Sequence, residues 1–276
     1  MQLADLHINI KKALKEGNID SFSIDSTLIL CHALNINKLT LITRGDMDIS
    51  PEDEKTVLSF LERRLRHEPM QYIMGKAEFM GLDFEVDKST LIPRGDTENI
   101  VEFALETIKE KGYTTLLDMC TGSGAIAVSC VKYSGVKATA CDISEKALLK
   151  AEINARKNST PVEFVKSDIF SNIKNKYDII ISNPPYIKRE EIPTLMEDVK
   201  NYEPLSALDG GENGLFFYEE ITKKAPSHLN KGGCLLYEIG YDQRREVENI
   251  LQKNGFKDIG SFKDLAGLDR GVYGYL

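Results

Sequence analysis

Between residues 116 and 253, short apolar runs alternate with segments of helical period, and few architectures accept that alternation. The runs at 116–120, 137–142, 162–168, 177–183 and 233–240 read as strands, and the stretches 123–132, 145–157, 213–229 and 242–253 as helices. Alternation sustained over this length predicts a doubly wound, mostly parallel α/β sheet. Two short strand candidates, 256–262 and 271–276, finish the chain and can pair as a hairpin that sets the last strand antiparallel.

The N-terminal part lacks this rhythm. Leu3, Leu6, Ile10 and Leu14 recur at helical spacing up to Gly17, and a second apolar-periodic stretch covers 26–34. A third helix opens at Ser50-Pro51, with Ser50 as N-cap and acids in the first turn. It ends on Arg63, Arg64, Arg66 and His67, which either complement the helix dipole or form a docking patch for an acidic or nucleic-acid-bearing partner. Phe79, Leu82, Phe84 and Val86, set around Gly75 and Gly81, suggest a β-hairpin. The expected division is a helical N-terminal domain over 1–70, a hairpin linker over 71–92 and the α/β domain over 93–276. Asp96 or Thr97 is expected to cap the first helix of the last domain.

Composition removes several classes. No apolar run is long enough to span a bilayer, and the N-terminus lacks the apolar centre of a signal peptide, so cytoplasm and no membrane partner are expected. Five scattered cysteines and four histidines show no metal-ligand spacing, so no metal site is expected. A net charge of −8 weighs against direct binding of bare DNA.

In doubly wound sheets ligands bind beyond the carboxyl ends of the strands, and four features fall there. Asp118-Met119-Cys120-Thr121-Gly122-Ser123-Gly124 is a strand running into a glycine turn that opens a helix, whose free N–H groups can hold a carboxylate. Asp142 ends the next strand, where a carboxylate can accept both hydroxyls of a ribose. Asp168 ends the third and could accept from an adenine amino group, with Phe170 covering the ring. The first two features suit a dinucleotide as well as S-adenosylmethionine.

The fourth feature is Asn183-Pro184-Pro185-Tyr186, directly after Ile179-Ile180-Ile181. Each proline fixes its own φ and restricts the residue before it, so Asn183 and Pro184 are stiffly held. The Asn183 side-chain oxygen and the Pro184 carbonyl are then two rigid acceptors for the two hydrogens of a substrate –NH2. An amide nitrogen is a poor nucleophile; holding both hydrogens aside aims its lone pair at an incoming methyl carbon. Tyr186 offers a face for a flat substrate group. A dehydrogenase would leave this tetrapeptide unexplained, whereas methyl transfer uses it.

With these residues in place, the chain resembles the PrmC/HemK family, the peptide-chain release factor glutamine methyltransferases, over nearly its whole length. The resemblance is carried by Arg63-Arg64 with 68–75, by 91–98, by the Thr121–Gly124 turn and by Asn183–Tyr186. Downstream it takes in Glu203-Pro204, Gly210, Gly214-Leu215, 237–240 and 264–270. It implies a Rossmann-like class I S-adenosylmethionine methyltransferase sheet with a small helical domain joined by a β-hairpin. The implied reaction methylates the glutamine side-chain nitrogen (N5) of a Gly-Gly-Gln tripeptide in class I release factors, with the helical domain helping to hold that protein. By resemblance Cys120, Thr121, Gly122, Ser123, Gly124, Asp142, Phe170 and Asn183 contact the cofactor, and Asn183, Pro184, Pro185 and Tyr186 hold the glutamine. A monomer is expected. Two positions depart from the family pattern: Gly95 stands where proline is usual, and Met119-Cys120 replaces Leu-Gly. A positive φ at Cys120 would be strained.

Overall fold

A computed structural model describes residues 1–276. The chain divides into two compact units, one of residues 1–75 with 196–202, the other of 76–195 with 203–276.

The first unit is helical. Helices α1 (Leu3–Glu16), α2 (Phe22–Ala33), α3 (Lys38–Thr43), α4 (Pro51–Leu65) and α5 (Met70–Met74) enclose a core of Leu3, Leu6, Ile10, Leu14, Ile29 and Leu30. Ser50 caps α4, its hydroxyl accepting from the Asp53 N–H at 3.1 Å. The arginines that end α4 do not form an unneutralised patch. Arg63 pairs with Glu68 (2.7 Å), Arg64 is buried against Asp25 (2.7 Å), and Arg66 pairs with Glu62 one turn back. This unit also runs past the boundary expected at 70. Pro69 starts α5, whose Met70 and Ile73 bury into the helical core. Residues 196–202 belong to this unit as well, and there the Tyr202 hydroxyl donates to the Arg66 carbonyl at 2.6 Å.

The second unit opens with the hairpin β1 (Lys76–Phe79) and β2 (Leu82–Glu85), shorter than the 71–92 expected. Asp87 ends it by accepting from the Ser89 N–H at 2.9 Å, which turns the chain out of the strand. There follow α6 (Gly95–Lys111), β3 (Thr115–Met119), α7 (Ala125–Ser134), β4 (Lys137–Asp142), α8 (Glu145–Lys157), β5 (Val162–Lys166) and β6 (Tyr177–Ser182). After an excursion carrying the one-turn α9 (Glu197–Lys200) come α10 (Phe216–Lys224), β7 (Leu229–Glu238), α11 (Arg244–Lys253), β8 (Lys257–Lys263) and β9 (Asp269–Tyr275). Helix α6 starts at Gly95, ahead of the caps expected at Asp96 or Thr97, so both side chains are released for other contacts.

The seven strands run in the order β5-β4-β3-β6-β7-β9-β8, parallel except for β9, which is antiparallel to β7 and β8. Alternate residues face opposite layers. Leu116, Ile179, Ile181, Cys234 and Leu236 pack under α6 and α7, whereas Leu117, Ile180, Leu235 and Tyr237 pack under α10 and α11. No helix is long and apolar enough to cross a membrane.

At the amino end of the sheet Asp178 fastens neighbouring segments. Its Oδ2 accepts from the N–H groups of Thr114 (2.8 Å) and Thr115 (3.0 Å), and its Oδ1 from Asn230 Nδ2 (2.7 Å). Burial alone would raise this carboxyl, but those donors outweigh it and hold it down to about 2, from an ordinary 3.8. The stabilisation is therefore complete above about pH 4 and is lost as pH falls through about 2. Asp178→Ala should lower the melting temperature at neutral pH, with the gap to wild type closing on acidification. A gap unchanged between pH 7 and pH 2 would count against the clamp.

Candidate active site

The strand order reverses between β3 and β6, and in open α/β sheets the crevice beyond the carboxyl ends at such a point is where ligands bind. A cavity of about 610 Å³ lies there. Its wall includes Cys120, Thr121, Gly122, Ser123, Asp142, Asp168, Asn183 and Pro185. Four other residues marked by the sequence stand elsewhere. Gly124, Phe170, Pro184 and Tyr186 are not part of the wall.

Each of the four has a physical reason. Gly124 sits at the start of α7 with φ +82°, and a Cβ there would meet the Ala151 Cβ at 3.0 Å, so it serves the close packing of α7 on α8. Phe170 turns its ring onto His228, stacked at 4.4 Å, and Ile169 holds the cavity wall in its stead. Pro184 is buried. The Tyr186 hydroxyl is drawn inward, 3.4 Å from Glu238 Oε1, and burial pushes that phenol above its ordinary range.

The glycine turn is held by two carboxylates. Asp118, fully buried, accepts from the Thr121 hydroxyl (2.5 Å) and the Ala127 N–H (3.1 Å), which ties both ends of the turn together. Burial pushes its carboxyl up to about 7, against the pull of those two donors. Asp142 accepts from the N–H groups of Gly122 (2.9 Å) and Ser144 (2.8 Å). Burial raises it as well, and beyond its backbone donors the carboxylate keeps acceptor capacity for a ligand hydroxyl. Cys120 adopts φ +63°, and Ile169 φ +50°, both in the left-handed region that side chains disfavour. Burial lifts the Cys120 thiol well above its ordinary range, with Asp142, Asp118 and Asp168 adding to the shift, so it remains a thiol. Gly95, the other departure from the pattern, opens α6 without a positive φ and does not disturb the helix start.

The tetrapeptide is clamped from behind by residues without a role in the sequence reading. Gln243 Nε2 donates to the Tyr186 carbonyl at 2.9 Å. A Cβ at Gly210 would lie 2.7 Å from the Tyr186 Cα, so only glycine lets the two backbones approach this closely. Arg94, in the wall, holds the buried Glu203 through two contacts of 2.7 Å, which fixes the 204–207 rim. Asn154, fully buried, accepts from the Glu85 N–H (2.6 Å) and donates to the Ser123 carbonyl (2.9 Å), tying the hairpin to the glycine turn.

The donor set fits an amphiphilic cation carrying a sugar. Two carboxylates at strand ends, the N–H groups opening α7, and apolar walls from Ile126, Ile143 and Ile169 match S-adenosylmethionine in charge and polarity.

Comparison with known proteins agrees with this geometry. A family model described as the PrmC N-terminal domain matches residues 5–75, and one described as a methyltransferase small domain matches 96–199. A release factor glutamine methyltransferase of Clostridium botulinum is 42% identical, over 98% of this chain and 98% of its own. One from Clostridium acetobutylicum is also 42% identical, over 99% of this chain and 98% of its own. Among solved structures, a methyltransferase from Pyrococcus furiosus shares the fold, with a TM-score of 0.53 at 21% identity over 71% of this chain and 90% of that one.

The two glycines of the turn should respond differently to a methyl group. Gly124→Ala adds a clash with Ala151 to the left-handed backbone cost and should lose about 3 kcal/mol in urea unfolding. Gly122→Ala meets open space and should lose only about 1–2 kcal/mol, from its left-handed backbone. Equal losses would refute the packing role.

Proposed function

This chain belongs to the family of release factor glutamine methyltransferases, and we propose that it methylates the side-chain nitrogen (N5) of the glutamine in the Gly-Gly-Gln motif of class I peptide chain release factors, modulating translation termination. The observation that carries the proposal is the place of Asn183. It leaves β6 beside the glycine turn of β3, lines the cavity, and is followed directly by two prolines that stiffen the chain.

S-adenosylmethionine, when bound, supplies an electrophilic methyl carbon on a cationic sulfur: the N–C bond forms as the C–S bond breaks, and the amide nitrogen releases one proton to water. The chain's own part is binding and orientation. Backbone groups from Cys120 to Ser123 and the opening of α7 hold the amino-acid end. Asp142 accepts the ribose hydroxyls through its open lone pairs, and Asp168 accepts from the adenine amino group. Ile169, in the wall, covers the ring in place of Phe170.

Asn183 Oδ1, in the wall, and the backbone carbonyl of the adjacent Pro184, whose ring is buried outside it, hold the two amide hydrogens of the substrate glutamine, which leaves its lone pair as the group facing the methyl carbon. Pro185 closes the wall behind them, and Tyr186 anchors the turn through its hydroxyl. No strong base is required, because the proton becomes acidic once the nitrogen is methylated. The helical unit, with its boundary near 70–75, is assigned to docking the release factor, and the enzyme acts as a cytoplasmic monomer.

Purified protein should transfer label from methyl-tritiated cofactor to a class I release factor and not to its Gly-Gly-Ala variant. Transfer to RNA with an inert release factor would replace this reading by a nucleic-acid one. Asn183→Ala should lower kcat by roughly 100-fold while the affinity for S-adenosylhomocysteine changes by no more than about threefold. Parallel losses in both would remove the orienting role.

A further inference from the structure

The proposed chemistry needs Asn183 to show its oxygen, and not its NH2, to the substrate. A primary amide has nearly the same shape either way round, so something must choose. Asn183 Nδ2 donates to Thr97 Oγ1 at 3.4 Å. A hydroxyl, however, can both donate and accept, and so cannot by itself dictate which half of an amide it meets. Its direction has to come from a third group.

That group is Glu238. Its side chain is buried at the end of β7 near the Thr97 hydroxyl, which favours its charged form. Oε1 accepts from the Tyr186 hydroxyl while Oε2 has no hydrogen-bond partner, so the carboxylate has acceptor capacity to spare for the Thr97 proton. An ionised carboxylate can only accept. With the hydroxyl proton committed to Glu238, Thr97 Oγ1 can only accept in turn, and the one half of the Asn183 amide that can donate to it is Nδ2. Oδ1 is then the half left for the cavity.

We infer that Thr97, directed by Glu238, is the positioning residue that fixes which face of the Asn183 amide meets the substrate. The inference rests on the reading of Asn183 as an acceptor for the glutamine amide. It explains why a threonine in the first turn of α6 lines the cavity instead of capping its helix. It also explains why a carboxyl is kept in a buried layer where an apolar side chain would cost less.

The groups around Glu238 set when the device works. Asp96 and Thr97 face it from α6, Tyr186 from the tetrapeptide and Arg270 from β9, while the Tyr218 hydroxyl on α10 donates to its backbone carbonyl at 2.9 Å. Arg270 is shared with Asp264 (3.1 Å) and Asp96 (3.2 Å). Burial pushes the Glu238 carboxyl up to about 7, against the lowering pull of Thr97 and Arg270. Once protonated, Glu238 can donate to Thr97, the relay loses its direction, and the Asn183 amide is free to turn over.

The test uses the full-length enzyme with release factor and saturating S-adenosylmethionine. Thr97→Val, which keeps the shape and removes the hydroxyl, should lower kcat roughly 10- to 100-fold and leave the affinity for S-adenosylhomocysteine within about twofold. Calorimetric binding of a Gly-Gly-Gln peptide to the S-adenosylhomocysteine complex should weaken in parallel. Thr97→Ser should recover kcat to within about threefold of wild type.

Wild-type kcat should fall as pH drops through about 7, and Glu238→Gln, which has no carboxyl to protonate, should lose that acid limb. Full turnover and peptide affinity in Thr97→Val, or a Thr97→Ser as poor as the valine variant, would overturn the inference and leave the assigned reaction standing. A folded wild type inert towards the glutamine would remove the assigned reaction itself, and this inference with it.

Discussion

The register between β3 and β6 is the constraint from which the site follows. Met119 lies opposite Ser182, and the Ser182 hydroxyl donates to the Met119 carbonyl at 2.8 Å. The next residues, Cys120 and Asn183, therefore leave the sheet side by side at the point where the strand order reverses. A slip of one residue would carry Asn183 about 3.3 Å along the strand and turn its side chain to the other face of the sheet. Hydrophobic patterning does little to prevent such a slip here. Ile179, Ile180 and Ile181 are all fully buried, so both faces of β6 are equally apolar. Polar pins supply the missing specification, with Asp178 holding Thr114 and Thr115 at one end of the strand and Ser182 holding Met119 at the other.

Above that register, rigidity comes from backbone and side-chain hydrogen bonds, and two wall residues carry backbone strain. Cys120 and Ile169 both carry left-handed φ without being glycine, and both line the cavity. Each such residue costs on the order of 1–3 kcal/mol, and such costs persist only where the surroundings overdetermine the backbone. Those surroundings are visible. Thr121 N–H donates to the Cys141 carbonyl at 3.0 Å on one side of Cys120, and the Ser167 hydroxyl donates to the Ile169 carbonyl itself at 2.7 Å. The wall residues are thus held in shape before any ligand arrives, the condition under which positioning contributes most to rate.

What could be read from the sequence depended on whether a periodic signal existed. The sheet was legible because buried strands and amphipathic helices alternate, and the glycine turn, Asp142, Asp168 and Asn183 because each closes an apolar run. The 187–211 region offered no such signal. It is ordered by backbone zipping, Ile187 N–H to the Leu208 carbonyl (3.0 Å) and Gly210 N–H to the Ile187 carbonyl (2.9 Å), which any sequence could in principle make. Phe170 was misplaced because its partner, His228, is remote in sequence and lies where β7 begins. The basic end of α4 looked like a patch because Asp25, which neutralises Arg64, comes from another helix. Asn154, Gln243 and Arg94 were invisible for the same reason: each acts on a backbone or a carboxylate that the fold alone brings near.

The charge of the cavity follows from the same geometry. Asp118, Asp142 and Asp168 converge closely enough for all three to act on Cys120, and burial pushes both Asp118 and Asp142 towards the protonated form. Carboxyls in that condition favour a nearby cation, because a positive charge offsets the cost of ionising them out of water. A sulfonium ligand carries one. By linkage, the cation lowers those carboxyl pKa values and the ionised carboxyls tighten the cation, each by the same free energy. A thioether is neutral at sulfur and lacks that share of the attraction.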